Sequence, residues 1–366
     1  MFVLVGVVQS FLGLRLTERF CAVPRQQPES RPPVTVLKPL CGVDALAETA
    51  LESFFQLDYP AYQLVFGVQD ANDPILDIVA RLRARYPECD TALMVNDSMH
   101  GSNRKVSNLI NMQPLAKHDI IVFSDADVHV PPYYLDDLVV ALKVPKVGLV
   151  TTLYTGLPSG PSVAASLGAA QINQTFLPSA LLARRLGRQD CMGATMGITK
   201  QVLAASGGLA ALANHLADDQ VLGRLVVKAG YQVGLASSIP VVTVSETSFS
   251  ALFAHELRWG RTIRALVPLA YAGSILQLPL LWAILALFFS GFAIWSWALL
   301  LFALVARVAF ARRVEAALRL LPTRGVWIFL LRDLFSLIIY TASFMGRRVD
   351  WRGQSMLADS GRPDIG

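Results

Sequence analysis

Ile120-Ile121-Val122-Phe123-Ser124-Asp125-Ala126-Asp127 is the stretch on which the fold turns. Four apolar residues, three of them β-branched, read as a buried strand. Two carboxylates, two residues apart, follow it directly. In open sheets flanked by helices, ligands sit beyond the carboxyl ends of the strands, so this pair falls where chemistry is done. A hard divalent cation takes oxygen ligands, binds one or two carboxylates and bridges to substrate phosphates. Alone, an Asp-x-Asp is more often a solvated polar turn. Its seat behind an apolar strand makes Asp125 and Asp127 candidate ligands for Mg2+ or Mn2+.

Toward the N-terminus, strand and helix signals alternate. Residues 34–40 read as a strand, 44–57 as a helix, 63–69 as a strand, 74–86 as a helix and 91–95 as a strand. This alternation predicts an α/β domain with a parallel sheet between helices. Polar residues again fall at the strand ends: Lys38 after the first, Asp70 after the second, Asp125 and Asp127 after the fourth. The convergence favours a nucleotide-type site, although no glycine-rich dinucleotide fingerprint is present. Asp73, just before Pro74, is the better helix cap, which leaves Asp70 without a structural role.

Toward the C-terminus, residues 191–199 read as a strand and 218–228 as a helix headed by Asp218 and Asp219. One of these caps the helix. The other reaches the cleft as an ionised base, because a helix N-terminus favours negative charge. Residues 249–264 form a basic amphipathic helix, with Phe249, Leu252, Phe253 and Leu257 in one stripe; such a helix lies flat in a membrane interface. It contains His255-Glu256-Leu257-Arg258-Trp259. Arg258 can neutralise a pyrophosphate leaving group, and Trp259 offers a flat wall to a sugar or lipid head. The structural alternative is arginine snorkelling with tryptophan anchoring.

The composition explains why an interface is needed. The 366 residues are 54% hydrophobic and only 16% charged, with net charge +5, against about 25% charged residues in ordinary soluble domains. That excludes a disordered chain, a coiled coil and a purely soluble enzyme. Residues 265–306 hold no charged side chain and are long enough to cross a bilayer twice, with Ser290-Gly291 as the turn. Arg307, Arg312, Arg313, Arg319 and Arg324 then follow against the single Glu315. This excess marks the cytoplasmic side and puts the α/β domain there too. Residues 326–346 contain Arg332 and Asp333 and precede Arg347, Arg348 and Arg352. A crossing would put those arginines outside, so the segment is either re-entrant or pairs Arg332 with Asp333 inside the bundle.

The expected organisation is an N-terminal membrane helix at 1–20 with a truncated start, a cytoplasmic catalytic domain at 30–247 and an interfacial helix at 248–270. A transmembrane hairpin at 271–310, a third hydrophobic segment at 326–346 and a basic tail at 347–366 complete it. Cys21, Cys41, Cys89 and Cys191 are too scattered for a zinc site or disulfide framework and suit a reduced compartment. The positive charge lies near the membrane without an aromatic-basic pattern, so nucleic acid is not an expected partner.

In combination, these strings resemble the inverting glycosyltransferases of GT-A fold, and within them the ceramide glucosyltransferases and their bacterial relatives. The likeness covers most of 34–268. It is carried by Lys38-Pro39-Leu40-Cys41-Gly42-Val43-Asp44, Leu57-Asp58-Tyr59-Pro60, Val68-Gln69-Asp70 with Asp73-Pro74, and Lys105-Val106-Ser107-Asn108-Leu109. Asp125, Asp219 and Arg258-Trp259 complete a D, D, D, (Q/R)xxRW pattern. The resemblance implies a GT-A Rossmann-like domain with C-terminal transmembrane helices. It implies donor contacts from Lys38, Pro39, Asp70, Lys105 and Asp125, with Asp70 on the uridine. Asp125 would lie at the donor diphosphate and its metal. Asp127 would add a second metal ligand, a departure from ceramide-specific members. Asp219 would be the general base, and Arg258 and Trp259 would stabilise the departing UDP. His255 stands where Gln or Arg is expected; it and Asp218 are left to the acceptor side or without a role.

The His255–Trp259 string and Trp351-Arg352-Gly353 further resemble hopanoid-associated glycosyltransferases of the bacterial inner membrane. That likeness implies N-acetylglucosamine transfer from UDP-N-acetylglucosamine to a hopanoid polyol such as bacteriohopanetetrol. Ceramide with UDP-glucose is the alternative. A processive polysaccharide synthase and a non-enzymatic nucleotide-sugar-binding membrane protein are the other readings, and the oligomeric state is open.

Overall fold

The computed structural model describes residues 1–323, 325–351 and 354–357. In chain order its elements begin with α1 (Phe2–Ala22), β1 (Val34–Pro39), α2 (Ala47–Phe55), β2 (Tyr62–Val68), α3 (Ile75–Arg85), β3 (Asp90–Val95), α4 (Arg104–Met112) and β4 (Ile120–Ser124). They continue with β5 (Val128–His129), α5 (Tyr134–Leu142), β6 (Val147–Thr151), β7 (Thr155–Pro158), α6 (Val163–Gln171), α7 (Leu177–Arg185), β8 (Thr195–Thr199), α8 (Lys200–Ala205) and α9 (Asp218–Lys228). The last are β9 (Gln232–Leu235), β10 (Val241–Val244), α10 (Phe249–Leu266), α11 (Pro268–Gly273), α12 (Pro279–Phe289), α13 (Ile294–Ala317), α14 (Trp327–Ser343), β11 (Arg348–Trp351) and β12 (Gln354–Leu357). Two compact units result. One holds Pro24–Thr155 and Arg188–Ser245; the other holds Met1–Val23, Gly156–Gly187 and the described chain from Glu246 onward.

The α/β unit is built on a seven-stranded sheet of order β3-β2-β1-β4-β8-β6-β9. Its strands are continuous apolar runs because both faces are covered. Side chains alternate between two cores. Val36, Leu64, Phe66 and Val122 pack on one face with Leu51, Phe54, Val79 and Leu138 from α2, α3 and α5. Leu37, Val65, Ile121 and Phe123 pack on the other with Leu109, Val202, Leu222 and Val226 from α4, α8 and α9. The helices follow from spacing: Ala47, Ala50, Leu51, Phe54 and Phe55 line the buried face of α2 at the i, i+3, i+4, i+7 repeat.

Strands β1 to β4 are parallel, as the alternation predicts. The strand order reverses on either side of β1, so the crevice between the carboxyl ends of β1 and β4 is the switch point where ligands bind. The expectation of a parallel sheet fails at β8, which runs antiparallel to both β4 and β6. The strand also starts at Thr195, so 191–194 are loop where the sequence reading extended the strand. Reversal has a consequence: Thr195 lies opposite Ser124, which brings the loop entering β8 to the carboxyl edge.

The expected domain at 30–247 is also interrupted. Residues 156–187 belong to the helical unit, because their Ala- and Leu-rich faces pack on apolar helices. Ala164 and Leu167 of α6 share a core with Leu252 of α10 and Ile328, Phe335 and Ile339 of α14. Gly13 of α1 sits close against Pro178 of α7. In this unit α13 is long and apolar enough to cross a membrane, and Pro268–Gln277 with Pro279–Phe289 passes the same test as one span bent by 65°. Between α12 and α13 the chain turns at Ser290, with positive φ at Gly291 and Phe292. The expected Arg332–Asp333 pair does not form. Arg332 instead bonds Glu256 at 2.6 and 2.8 Å, and Asp333 bonds Arg307 at 3.0 Å. Neighbours in sequence point to different sides of a helix, so each finds a partner on another element. Most of the tail at 347–366, with Arg352 and Gly353, lies outside the described residues.

Candidate active site

At the carboxyl edge the turn 125–127 is held from three sides. The Asp125 N–H donates to Ala194 O at 3.1 Å and the Thr243 N–H to Asp127 O at 3.0 Å. The third support is Lys38. Its side chain is entirely buried; its ammonium donates to the Asp125 carbonyl, lies 3.5 Å from Ser124 Oγ and sits 3.9 Å from the Phe54 ring. Burial pushes its pKa down to about 7, against the pull of Asp127 and Asp125. In this structure Lys38 supports the carboxylate turn from beneath, and Pro39 follows it at the end of β1.

Lys105 is the hub. Its ammonium is 2.6 Å from the Asp125 carboxylate, 3.8 Å from that of Asp218 and 3.3 Å from Gly193 O. Burial opposes its charge, yet Asp125 and Asp218 hold it well above its ordinary range. The placement follows from helix capping. Asn103 Oδ1 accepts the Val106 N–H at 3.1 Å, while its amide donates to His215 O at 2.8 Å. One residue thus starts α4 and ties it to the segment leading into α9. Gly101 is required here, because a Cβ would collide with Ala213 O and lie 2.6 Å from Asn214.

Asp218 and Asp219 form the first turn of α9, whose cap is Ala217 with no side-chain bond, so neither aspartate caps the helix as expected. Asp218 is buried, and its Oδ2 has no hydrogen-bond partner. Asp219 keeps a partly open face; its Oδ1 accepts the Gln220 N–H at 2.7 Å. A Cβ at Gly193 would lie 3.0 Å from Asp219 Oδ2, so that glycine lets the carboxylate approach the loop entering β8. The expectation that the helix dipole keeps this group ionised is corrected: burial first, and the neighbouring Asp218 second, push Asp219 up to about 7. Desolvation outweighs the dipole.

Asp70 is exposed at the end of β2, and its Oδ1 accepts the Asn72 N–H at 2.9 Å. It therefore has the local turn role that the sequence reading denied it. The cap of α3 falls on Pro74, one residue beyond the expected Asp73; Asp73 accepts the Ile75 N–H at 3.0 Å in a local turn and the Gly42 N–H at 2.7 Å.

Asp125 and Asp127 fit a divalent cation. Burial, and then the Asp125 charge, push Asp127 up to about 6; two crowded carboxylates of this kind are relieved by a cation. Among the described residues no three His, Cys, Asp or Glu side chains converge on one point. Such an ion would take its remaining oxygens from a diphosphate or water, which is how Mg2+ and Mn2+ bind.

The remaining expected residues lie in the helical unit. Ser248 caps α10, its Oγ accepting the Ala251 N–H at 3.2 Å. His255, Arg258 and Trp259 follow at i, i+3 and i+4, on one face. His255 Nδ1 meets the Glu246 carboxylate, its ring stands edge-on 4.6 Å from Trp259, and its Nε2 is buried without a hydrogen-bond partner. Glu246 escaped the sequence reading: a loop glutamate nine residues from its partner belongs to no recognisable spacing. Asn103 was discoverable, as an Asn before a helical repeat.

Residues 1–363 match the family described as Glycosyl transferase family 21. Ceramide glucosyltransferase 3 of Caenorhabditis elegans is 26% identical over 251 residues, 66% of this chain and 53% of that protein. The ceramide glucosyltransferase of Komagataella phaffii is 35% identical over 101 residues, 26% of this chain and 20% of that protein. The chain thus spans about half the length, or less, of these curated relatives. Among solved structures, the mannosyltransferase PcManGT of Pyrobaculum calidifontis, in complex with GDP-Man and Mn2+, superposes with a TM-score of 0.52. It is 17% identical, with 94% of this chain and 99% of that one covered, and it supports the GT-A-like fold.

Proposed function

The chain belongs to glycosyl transferase family 21, and from that premise we propose an inverting, membrane-bound hexosyltransferase. It moves a single hexose or N-acetylhexosamine from a UDP-sugar to a hydroxyl of a membrane lipid. The observation that carries this reading is the gathering of Asp125, Asp218 and Asp219 round the Lys105 ammonium at the carboxyl edge of the sheet. Asp219, the more open of the two α9 carboxylates, takes the proton of the acceptor hydroxyl. The hydroxyl oxygen forms its bond to the anomeric carbon as the bond to the diphosphate breaks, and UDP leaves with the electron pair. Configuration inverts in one displacement, with no covalent sugar–enzyme intermediate. A divalent cation, Mg2+ or Mn2+, held by Asp125 and Asp127 supplies positive charge to the donor diphosphate. Lys105 neutralises the same oxygens, Asp70 holds the uridine, and Arg258 and Trp259 stabilise departing UDP and shape the acceptor entrance. Lys38 and Pro39 serve the donor indirectly, by fixing the turn that carries Asp125. The catalytic unit faces the cytoplasm of a bacterial inner membrane crossed by the helical unit.

The acceptor separates two versions. The names of the curated relatives favour ceramide with UDP-glucose; the His255–Trp259 string favours UDP-N-acetylglucosamine with a hopanoid polyol such as bacteriohopanetetrol. Purified full chain, incubated with each labelled donor against each lipid and with Mg2+ or Mn2+, distinguishes them by which pair yields labelled glycolipid. UDP binding without transfer to any lipid would instead support a nucleotide-sugar receptor, and a polymeric product a processive synthase.

A further inference from the structure

Helix α14 lies alongside α10 over most of its length and runs in the same direction. Near the start of both, Phe249 and Phe253 meet Phe335 at 6.3 and 6.4 Å, and Glu256 meets Arg332 at 2.6 Å. Midway, Gly260 lies against α14, where a Cβ would make ordinary contact with Ile339 at 3.5 Å and Ser343 at 3.4 Å. Near the end, Arg264 stands 5.4 Å from the Phe344 ring and donates to Gly346 O. Two helices packed this way share one depth in a membrane.

The depth of α10 is set by its residues. It carries His255, Glu256, Arg258, Arg261 and Arg264 within ten positions, and charges at the centre of a bilayer are strongly disfavoured. Its place is the interface. Helix α13, which has the length and apolarity to cross, contacts α14 through Arg307 and Arg312 at Phe329 and Asp333, in the first half of α14. Among the described residues, the ion pair and ring contacts between these two helices lie in that half. Opposite its packed face, α14 exposes Trp327, Leu330, Leu334 and Ile338, one stripe at three- and four-residue intervals, and Met345 is exposed just beyond the helix end. Exposed Arg347 and Arg348 follow at once, a pairing of apolar stripe and cations that fits acyl chains and lipid headgroups.

We infer that α14 does not cross the bilayer. It lies beside α10 in the interfacial plane of the cytoplasmic leaflet, so that the two helices form one lipid-facing platform. The chain after α14 stays on the side of Arg312 and Arg313. This inference rests on the proposed membrane attachment of the helical unit and resolves whether 326–346 spans.

The test is a pair of reporter fusions to the full chain in a bacterial inner membrane. Fluorescent protein at the C-terminus should fluoresce and alkaline phosphatase there should be inactive, whereas phosphatase inserted at Gly291 should be active. Active phosphatase at the C-terminus overturns the inference. Inactive phosphatase at Gly291 overturns the membrane reading itself, a distinct result. Nitroxide labels at Trp327, Leu330, Leu334 and Ile338, with exposed Cys41 and part-buried Cys21 and Cys89 replaced by serine, supply the second readout. Equal immersion depths are expected. A steady gradient approaching about 16 Å, the length of that stretch as a helix, overturns the inference in favour of a span. A deeper middle overturns the flat placement in favour of a re-entrant dip.

Discussion

In the proposed mechanism Asp219 concentrates the chemistry in one carboxyl group. Because burial and Asp218 raise its pKa to about 7, it holds its proton below that pH and must lose it to act as a base. The logarithm of kcat/KM is therefore expected to climb with pH toward 7 and level above it, and Asp219→Asn should abolish this limb. The same variant should lose about a hundredfold to ten-thousandfold in kcat while binding UDP as before, as equilibrium titration would show. At Lys38 the expectation is different. Lys38→Met leaves the Asp125 carbonyl without its donor, at a cost of about 1–3 kcal/mol in thermal or denaturant unfolding, and it should raise the concentration of Mn2+ needed for half-maximal rate. These two residues also show what could be read in advance. The position of Asp219 at a helix start was legible; its protonation was not, because desolvation depends on residues far away in the chain. A lysine at a strand end looks the same whether it faces a ligand or, as here, the backbone beneath the next strand.

Helix α10 owes its seat to a buried ion pair. Arg332 is 1% and Glu256 6% exposed, so removing one partner strands a charge. Glu256→Ala should destabilise the protein by about 3–5 kcal/mol, whereas Glu256→Gln with Arg332→Met, which leaves no charge, should recover much of the loss. Melting temperatures in detergent check both. A purely local role for this pair would leave KM for the donor unchanged in the double variant; displacement of Arg258 and Trp259 would raise it. At this scale the sequence was a good guide to periodicity. The strands β1 to β4 and the helix α9 follow from apolar spacing alone. Direction was not legible: β8 has the same β-branched and apolar character whether parallel or antiparallel, and only its pairing with β4 decides. Nor did spacing separate 156–187 from the α/β unit, since an alanine-rich helix suits a sheet face and an apolar bundle equally well.

Across the whole chain, the 54% apolar composition averages a conventional α/β unit with a helical unit in which α13 is long and apolar enough to cross a membrane. In the proposed function the donor comes from water and the acceptor from the bilayer, a division that this composition would suit. What residue chemistry leaves open is the acceptor, because the carboxylates and cations proposed to handle a UDP-sugar would be indifferent to the lipid that offers the hydroxyl. The central claim, a one-step inverting transfer to lipid, is tested most directly by the anomeric linkage of the product. Full chain in vesicles, given an α-linked UDP-sugar, a divalent cation and the lipid acceptor, should yield a glycolipid with one β-linked sugar by NMR. An α-linked product, a polymer, or a lipid fraction left unglycosylated would contradict it.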